Sequence, residues 1–224
     1  MNTQEVSWGL YFDLECPYFA CFRHPTSTSL IQTYPVPPFT TIRGLIACAL
    51  GLPRNAFFLQ DCFQIGLRPL ERVEVTRELA KLLKLIPRDV ERRPNVFPSS
   101  PMYRYFLTRP AYRVYIEGYE EIIDTVRESL LNPQRPLYLG QSDDMVTISK
   151  PVKMEILQTQ TVEVFSIIEG IYAGCELLKL PLRFEDVDTL VYTSVLSMPP
   201  TYPWKLEKPH LLWQFGTETV WLTK

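Results

Sequence analysis

The stretch Thr40-Thr41-Ile42-Arg43-Gly44-Leu45-Ile46-Ala47-Cys48-Ala49-Leu50 reads as a helix, with a threonine as N-cap and with Gly51 and Pro53 ending the run. Upstream, Val6 to Phe12 is rich in β-branched and aromatic residues and predicts a first strand that can continue as extended chain to Phe22. Downstream, Phe63 to Leu70 alternates well enough for a second strand. Tyr103 to Glu117 is dense in Tyr, Phe, Val and Ile, but Pro110 inside it predicts two extended segments or an edge strand. Tyr119 to Leu131 carries Ile122, Ile123, Val126, Leu130 and Leu131 on one face of a second helix, and Met145 to Ile148 is short and strand-like. The order is strand, helix, strand, insertion, strand, helix, strand. It predicts an α+β, ferredoxin-like (RRM-type) unit over residues 1–150.

The insertion, at about 71–102, reads as a basic, irregular stretch. Glu78 to Ile86 inside it has helical spacing, and Pro87, Pro94, Pro98 and Pro101 interrupt the remainder of the insertion. Residues 151–224 predict a small β-rich C-terminal region of short strands with proline breaks and no helix. Twenty prolines against nine glycines favour stiff connections. A hydrophobic share of 46% is enough to bury a core.

The net charge of −2 hides an asymmetry: Arg68 to Arg113 holds eleven Lys/Arg and five Asp/Glu, a local net of +6, so the remainder carries −8. A localised polyanion contact needs such a patch, although a solvated basic loop has the same composition. Cys16, Cys21, Cys48, Cys62 and Cys175 form no CxxC and have too few histidines for a zinc site, so they read as reduced, buried thiols. Met1 to Glu5 lacks the basic start and apolar core of a signal peptide, and no apolar run is long enough to span a membrane. A cytoplasmic location with no membrane contact is expected.

Several catalytic readings fail on motif. Arg43-Gly44 is not followed by the Gly-Lys-Ser/Thr of a P-loop, and neither a GxSxG elbow nor HExxH occurs. His24 and His210 are the only histidines. Asp143-Asp144 and Glu185-Asp186-Asp188 could bind Mg²⁺ but read better as solvated loop acids, so no metal or other cofactor is expected. Four features remain: Phe22-Arg23-His24-Pro25-Thr26-Ser27-Thr28, Tyr34-Pro35-Val36-Pro37-Pro38 running into the first helix, the basic insertion, and Pro136 to Asp144. In the last of these, Gly140 lets backbone amides approach a ligand closely.

Phe22-Arg23, Tyr34 to Leu45 and Tyr138-Leu139-Gly140-Gln141-Ser142 stand in the order and spacing that resemble the CRISPR-associated Cas family five. That family is a RAMP-superfamily subunit of type I surveillance (Cascade) complexes. The resemblance covers roughly residues 5–150, and length and the Arg-rich insertion look closest to type I-B members. It implies a ferredoxin-like domain with an extended thumb. It also implies a subunit that caps the 5′ handle of the CRISPR RNA (crRNA), between the RNA-coating backbone subunit and the large subunit that inspects the target DNA's flanking motif. In one subtype the family member also cuts precursor RNA without metal, using a tyrosine, a lysine and a histidine. Here the corresponding stretch, Arg109-Pro110-Ala111-Tyr112-Arg113-Val114-Tyr115, has no Lys-His pair.

Independently of the resemblance, single-stranded RNA is held at phosphates by Arg and backbone amides and at bases by aromatic faces. Tyr103-Arg104-Tyr105-Phe106 and Arg109 to Arg113 interleave both types, although alternation on a half-buried strand sends about half of them to the core. RNA contacts are therefore expected from Arg23, His24, Thr26, Tyr34, Arg43, Arg88, Arg92, Arg93, Arg104, Tyr105, Arg109, Gly140, Gln141 and Ser142. Arg43, Gly140 and Ser142 are expected to form one phosphate-binding corner; alternatively, Gly140 serves a turn and Arg43 pairs with Asp143 or Asp144. The expected function is a non-catalytic RNA-binding subunit. A metal-independent endoribonuclease using His24 and Tyr34 is the alternative, and a scaffold contacting acidic partners is a third.

Overall fold

A computed structural model describes residues 7–25, 30–83 and 99–223. The first two-thirds of the chain comprise β1 (Ser7–Glu15), β2 (Phe19–Ala20), α1 (Phe39–Ala49), a 3-10 turn (Phe57–Asp61), β3 (Phe63–Pro69), β4 (Val75–Leu83), β5 (Ser99–Thr108), β6 (Ala111–Gly118), α2 (Glu120–Leu131), β7 (Thr147–Ile148) and β8 (Val152–Val164). The remainder adds β9 (Ile168–Glu169), β10 (Glu176–Leu178), β11 (Pro181–Phe184), β12 (Leu190–Tyr192), β13 (Leu196–Met198), β14 (Trp204–Phe215) and β15 (Glu218–Val220). The architecture is α+β, mostly sheet, with two α-helices among the described residues. None of these is long and apolar enough to cross a membrane.

The principal sheet runs β15-β14-β8-β1-β6-β3, with β7 also pairing β1. Period-two alternation sends Leu10, Phe12 and Leu14 of β1, Ile65 and Leu67 of β3, and Val114 and Ile116 of β6 into one core with Phe39, Ile42 and Ile46 of α1 and Ile123 and Val126 of α2. Each of these large side chains contributes about 1.5–3 kcal/mol by leaving water. That core fixes where the ends of β1 and α1 lie.

α1 differs from the sequence expectation at its start. Its N-cap is Pro38, with no side-chain cap bond, and the Pro38 carbonyl accepts the N–H groups of Thr41 and Ile42. Burial of Phe39 draws the cap back two residues, from Thr40 to Pro38, and outweighs a threonine cap. Gly51, at φ 70°, closes the other end, its N–H bonding the Cys48 carbonyl.

The described part of the insertion is not irregular. β4 and β5 form an antiparallel hairpin from Val75↔Leu107 to Leu83↔Ser99, so Glu78 to Leu83 is strand despite its helical spacing. Cross-strand pairing along the whole hairpin overrides the local preference of a Leu-, Lys- and Glu-rich segment. Residues 84–98 lie outside the described part, and with them Arg88, Arg92 and Arg93; Thr26 does as well. Pro110 acts as expected: β5 ends before it and β6 begins after it, and the two strands enter different sheets.

The expected boundary at 150/151 falls inside one sheet. β8 pairs β1 through Val152–Ile156 and β14 through Leu157–Val164, and both strands are long. Pro209, which suggested a break, is taken up where the β14 register shifts between Lys205 and His210. The cysteines are free, but only Cys16 and Cys21 are buried; Cys48, Cys62 and Cys175 are half-buried. Burial pushes the Cys16 thiol up to about 12, which makes it inert.

The second face of the sheet is covered by the chain's own C-terminal segment. Tyr115, Ile156, Phe215, Val220 and Leu222 form a core there, with Tyr115 and Phe215 edge to face at 5.2 Å. Gly9 and Gly66 make room for it: a Cβ on Gly9 would stand 2.6 Å from Ile156 and Phe215, and one on Gly66 2.7 Å from Leu222. Thr223 N–H donates to the Ile65 carbonyl at 2.9 Å, which closes the β3 edge. Arg113 grips Asp13 with two bonds and reaches Glu218, which also accepts from Tyr115 and Arg68.

Candidate nucleic-acid interface

After β2 the chain turns back on itself beside the exit of β1. His24 N–H donates to the Gln32 carbonyl and Tyr34 N–H to the Phe22 carbonyl, both at 2.9 Å, and Arg23 bridges Thr33. Arg23 and His24 therefore stand on one arm and Tyr34 on the other. The His24 and Tyr34 rings stack, with centroids 3.7 Å apart and planes within 17°. Arg23 is exposed, His24 half-buried, and Tyr34 only 6% exposed. Burial pushes the His24 imidazole down, against a backbone hydrogen bond at Thr33, so it is neutral at pH 7. Burial and a hydrogen bond to Tyr192 push the Tyr34 phenol well above its ordinary range.

This turn leans on the base of the hairpin. Ile31 N–H donates to the Tyr103 carbonyl and Tyr105 N–H to the Ile31 carbonyl, at 2.9 and 2.8 Å. Alternation along β5 puts Tyr103 and Tyr105 on one face and Arg104 and Phe106 on the other. Tyr103 is half-exposed with the Arg77 guanidinium 5.0 Å from its ring centre. Arg104 packs over Phe19 and Phe106 at 5.1 and 5.8 Å and stands 3.8 Å from Glu78, so much of its role is to hold β2 against the hairpin.

The loop between α2 and β7 joins from the other side. Asp144 is fully buried, and one carboxylate oxygen accepts N–H bonds from Cys21 at 2.8 Å and Gln141 at 2.9 Å. Burial raises its carboxyl above the ordinary range while those two bonds oppose the rise. Asp144 is thus a structural pin and not a solvated loop acid. Gly140, at φ 111°, permits the approach: its Cβ would meet Asp144 Oδ2 at 2.8 Å and the Cys21 carbonyl oxygen at 2.9 Å. Gly140, Gln141 and exposed Ser142 accordingly sit beside Cys21-Phe22, next to Arg23 and His24.

Arg43 does not join them. It is 7% exposed and donates to the Leu182 carbonyl, in a cleft with Asp61 and Arg183, whereas Gly140 borders a separate cleft with Thr41 and Gly44. The expected corner of Arg43, Gly140 and Ser142 is not assembled, because Arg43 leaves α1 toward β11. Asp143 and Asp144 are not its partners either. Arg109 is exposed at φ 46° in the turn between β5 and β6, roughly 13 Å along β5 from Tyr105 at the usual rise per residue. Arg77, over Tyr103, was hidden by the helical reading of its neighbours, and Tyr192, behind Tyr34, by its distance along the chain. Among the described residues no cluster of His, Cys, Asp and Glu could hold a metal ion.

A family model described as CRISPR-associated protein (Cas_Cas5) matches residues 9–190. No curated protein matches the chain in sequence. Among solved structures, a chain of a CRISPR RNA-guided surveillance complex aligns with TM-score 0.54 at 16% identity, covering 88% of this chain and 90% of that one. A CRISPR protein from Archaeoglobus fulgidus aligns with TM-score 0.54 at 13% identity, covering 95% and 98%.

Proposed function

The chain belongs to the CRISPR-associated Cas5 family, and from that premise we propose that it is a non-catalytic subunit of a type I surveillance (Cascade) complex that grips the 5′ handle of the crRNA. One observation carries this reading. Arg23, His24, Tyr34, Gln141 and Ser142 converge with Tyr103 and Tyr105 at the base of a hairpin that lies within the basic stretch Arg68 to Arg113. Cations, amides and aromatic faces within one surface are what a single strand needs. The strand order β8-β1-β6-β3, taken as fourth, first, third and second, supports a ferredoxin-like unit with β4–β5 as its thumb. In an RRM the open sheet face stacks the bases. Here that face is occupied by Phe215, Val220 and Leu222, so the RNA runs over the thumb's base instead. The backbone subunit and the large subunit are the neighbours this role requires, and target DNA near its flanking motif is reached through them.

A metal-independent endoribonuclease is the second reading, favoured by a neutral His24 in ring contact with Tyr34. The Tyr34 hydroxyl, however, is buried against Tyr192 and raised away from any acid role at neutral pH. The test is equilibrium binding of handle RNA across a salt series. Replacing Arg88, Arg92 and Arg93 with alanine should lower the slope of log affinity against log salt by about one unit per lost phosphate contact. An unchanged slope would place the RNA elsewhere.

A further inference from the structure

Arg43 projects from α1 into a cleft of about 950 Å³ whose lining includes Trp8, Asp61, Glu117, Tyr119, Arg183 and Trp213. Of the charged residues there, Arg43 alone is buried. Its Nη1 donates to the Leu182 carbonyl, but its Nε has no hydrogen-bond partner among the described residues. Asp61, the acid whose charge it feels, stands 3.7 Å from Arg183 instead. A buried guanidinium with one neutral acceptor is poorly compensated, and a chain that keeps one in a cleft gains if a ligand brings the missing negative charge.

The rim decides which ligand. Three acids, Asp61, Glu117 and Glu120, line it against Arg43 and Arg183, with Asp61 paired to Arg183 and Glu120 to Lys153, so a run of phosphates finds no net positive surface there. Trp8 and Trp213, with Tyr119 at 84% exposed, offer aromatic surface to apolar side chains. The walls are also fixed in advance: Gln60 exchanges two hydrogen bonds with the Phe184 backbone, and Phe57 stacks on Phe184 at 5.5 Å. We propose that this cleft docks a segment of a partner protein that presents a single carboxylate to Arg43 between apolar side chains. The site is independent of the RNA surface and stands whether or not that reading holds.

The probes are a capped pentapeptide Gly-Phe-Glu-Phe-Gly, its Gln counterpart, inorganic phosphate and an eight-nucleotide oligouridylate, each titrated into the full chain by calorimetry. The Glu peptide should bind about tenfold tighter than the Gln peptide, the range of one charge-assisted hydrogen bond. Arg43→Met should erase that ratio. Tyr119→Ser, at the exposed N-cap of α2, should weaken both peptides several-fold without lowering the melting temperature, since serine caps a helix better than tyrosine. Equal binding of the two peptides overturns the proposal, as does displacement of the Glu peptide by phosphate or oligouridylate. If Arg43→Met does not fold, the wild-type ratio and Tyr119→Ser carry the test alone. An Arg43→Met chain that keeps the ratio while melting lower would reduce Arg43 to a tie between α1 and β11.

Discussion

Gly66→Ala should destabilise the chain because the second face of the sheet is filled from within. The added methyl would stand 2.7 Å from Leu222 Cδ2 and 2.8 Å from the Trp221 carbonyl oxygen. Neither neighbour can step aside cheaply. Leu222 is 5% exposed, and the backbone around Trp221 is held by Trp221 N–H to Ser166 Oγ and by Thr223 N–H to the Ile65 carbonyl, each at 2.9 Å. Gly66 is not in the left-handed region, so no backbone strain adds to the contact. Overpacking of this kind costs about 1–3 kcal/mol. In a chain of this size each kcal/mol moves the melting temperature by about 2–4 °C. Gly44→Ala is the internal control. Its Cβ meets nothing within 4 Å, and alanine in a helix interior should raise stability by about 0.5–1 kcal/mol. Thermal unfolding followed by circular dichroism, with RNA affinity measured alongside, decides the matter. A Gly66→Ala chain as stable as its parent would show that the segment does not pack as described. A destabilised one that binds RNA more tightly would show that the face is an RNA surface held shut.

Two further expectations concern titration and chemistry. Burial raises the Asp144 carboxyl above its ordinary 3.8, so ionising it costs stability relative to the protonated acid, which holds the same two N–H groups. That cost is present above the folded value and disappears as the pH falls through it toward 3.8, so the parent should gain stability on an Asp144→Asn variant over that interval; chemical denaturation at several pH values would reveal an opposite trend. The purified chain should leave its repeat RNA intact with or without Mg²⁺. A sequence-specific product that vanishes in His24→Ala would promote the nuclease reading.

Much of the scaffold was legible in the sequence because its signals are local. The apolar faces of α1 and α2, the β-branched and aromatic run of β1 and the break at Pro110 each depend on neighbours a few residues away. The thumb was misread because Leu79, Leu82 and Leu83 satisfy helical spacing, while what makes them strand is a partner beyond residue 98. The C-terminal wrap was invisible for the same reason: Ser7↔Ile156 and Thr223 to Ile65 join positions about 150 residues apart. At the interface, Arg23, His24 and Tyr34 could be chosen by type and order, and their convergence with Gln141 and Ser142 is set by the Asp144 bonds to Cys21 and Gln141. Arg43 could not be assigned this way. A polar residue in a helix motif looks the same whether it faces a phosphate or the Leu182 carbonyl, and only the rotation of α1 against β11 distinguishes them.

The path of the RNA can be read directly by photocrosslinking the full chain to handle RNA carrying 4-thiouridine and locating the modified residues by mass spectrometry. Crosslinks to His24, Tyr103 or Tyr105 are the expected outcome, since these rings border the surface where Arg23, Gln141 and Ser142 meet. Crosslinks confined to Trp8, Tyr119 or Trp213, or to Tyr11 on the sheet's second face, would contradict an RNA path over the base of the thumb.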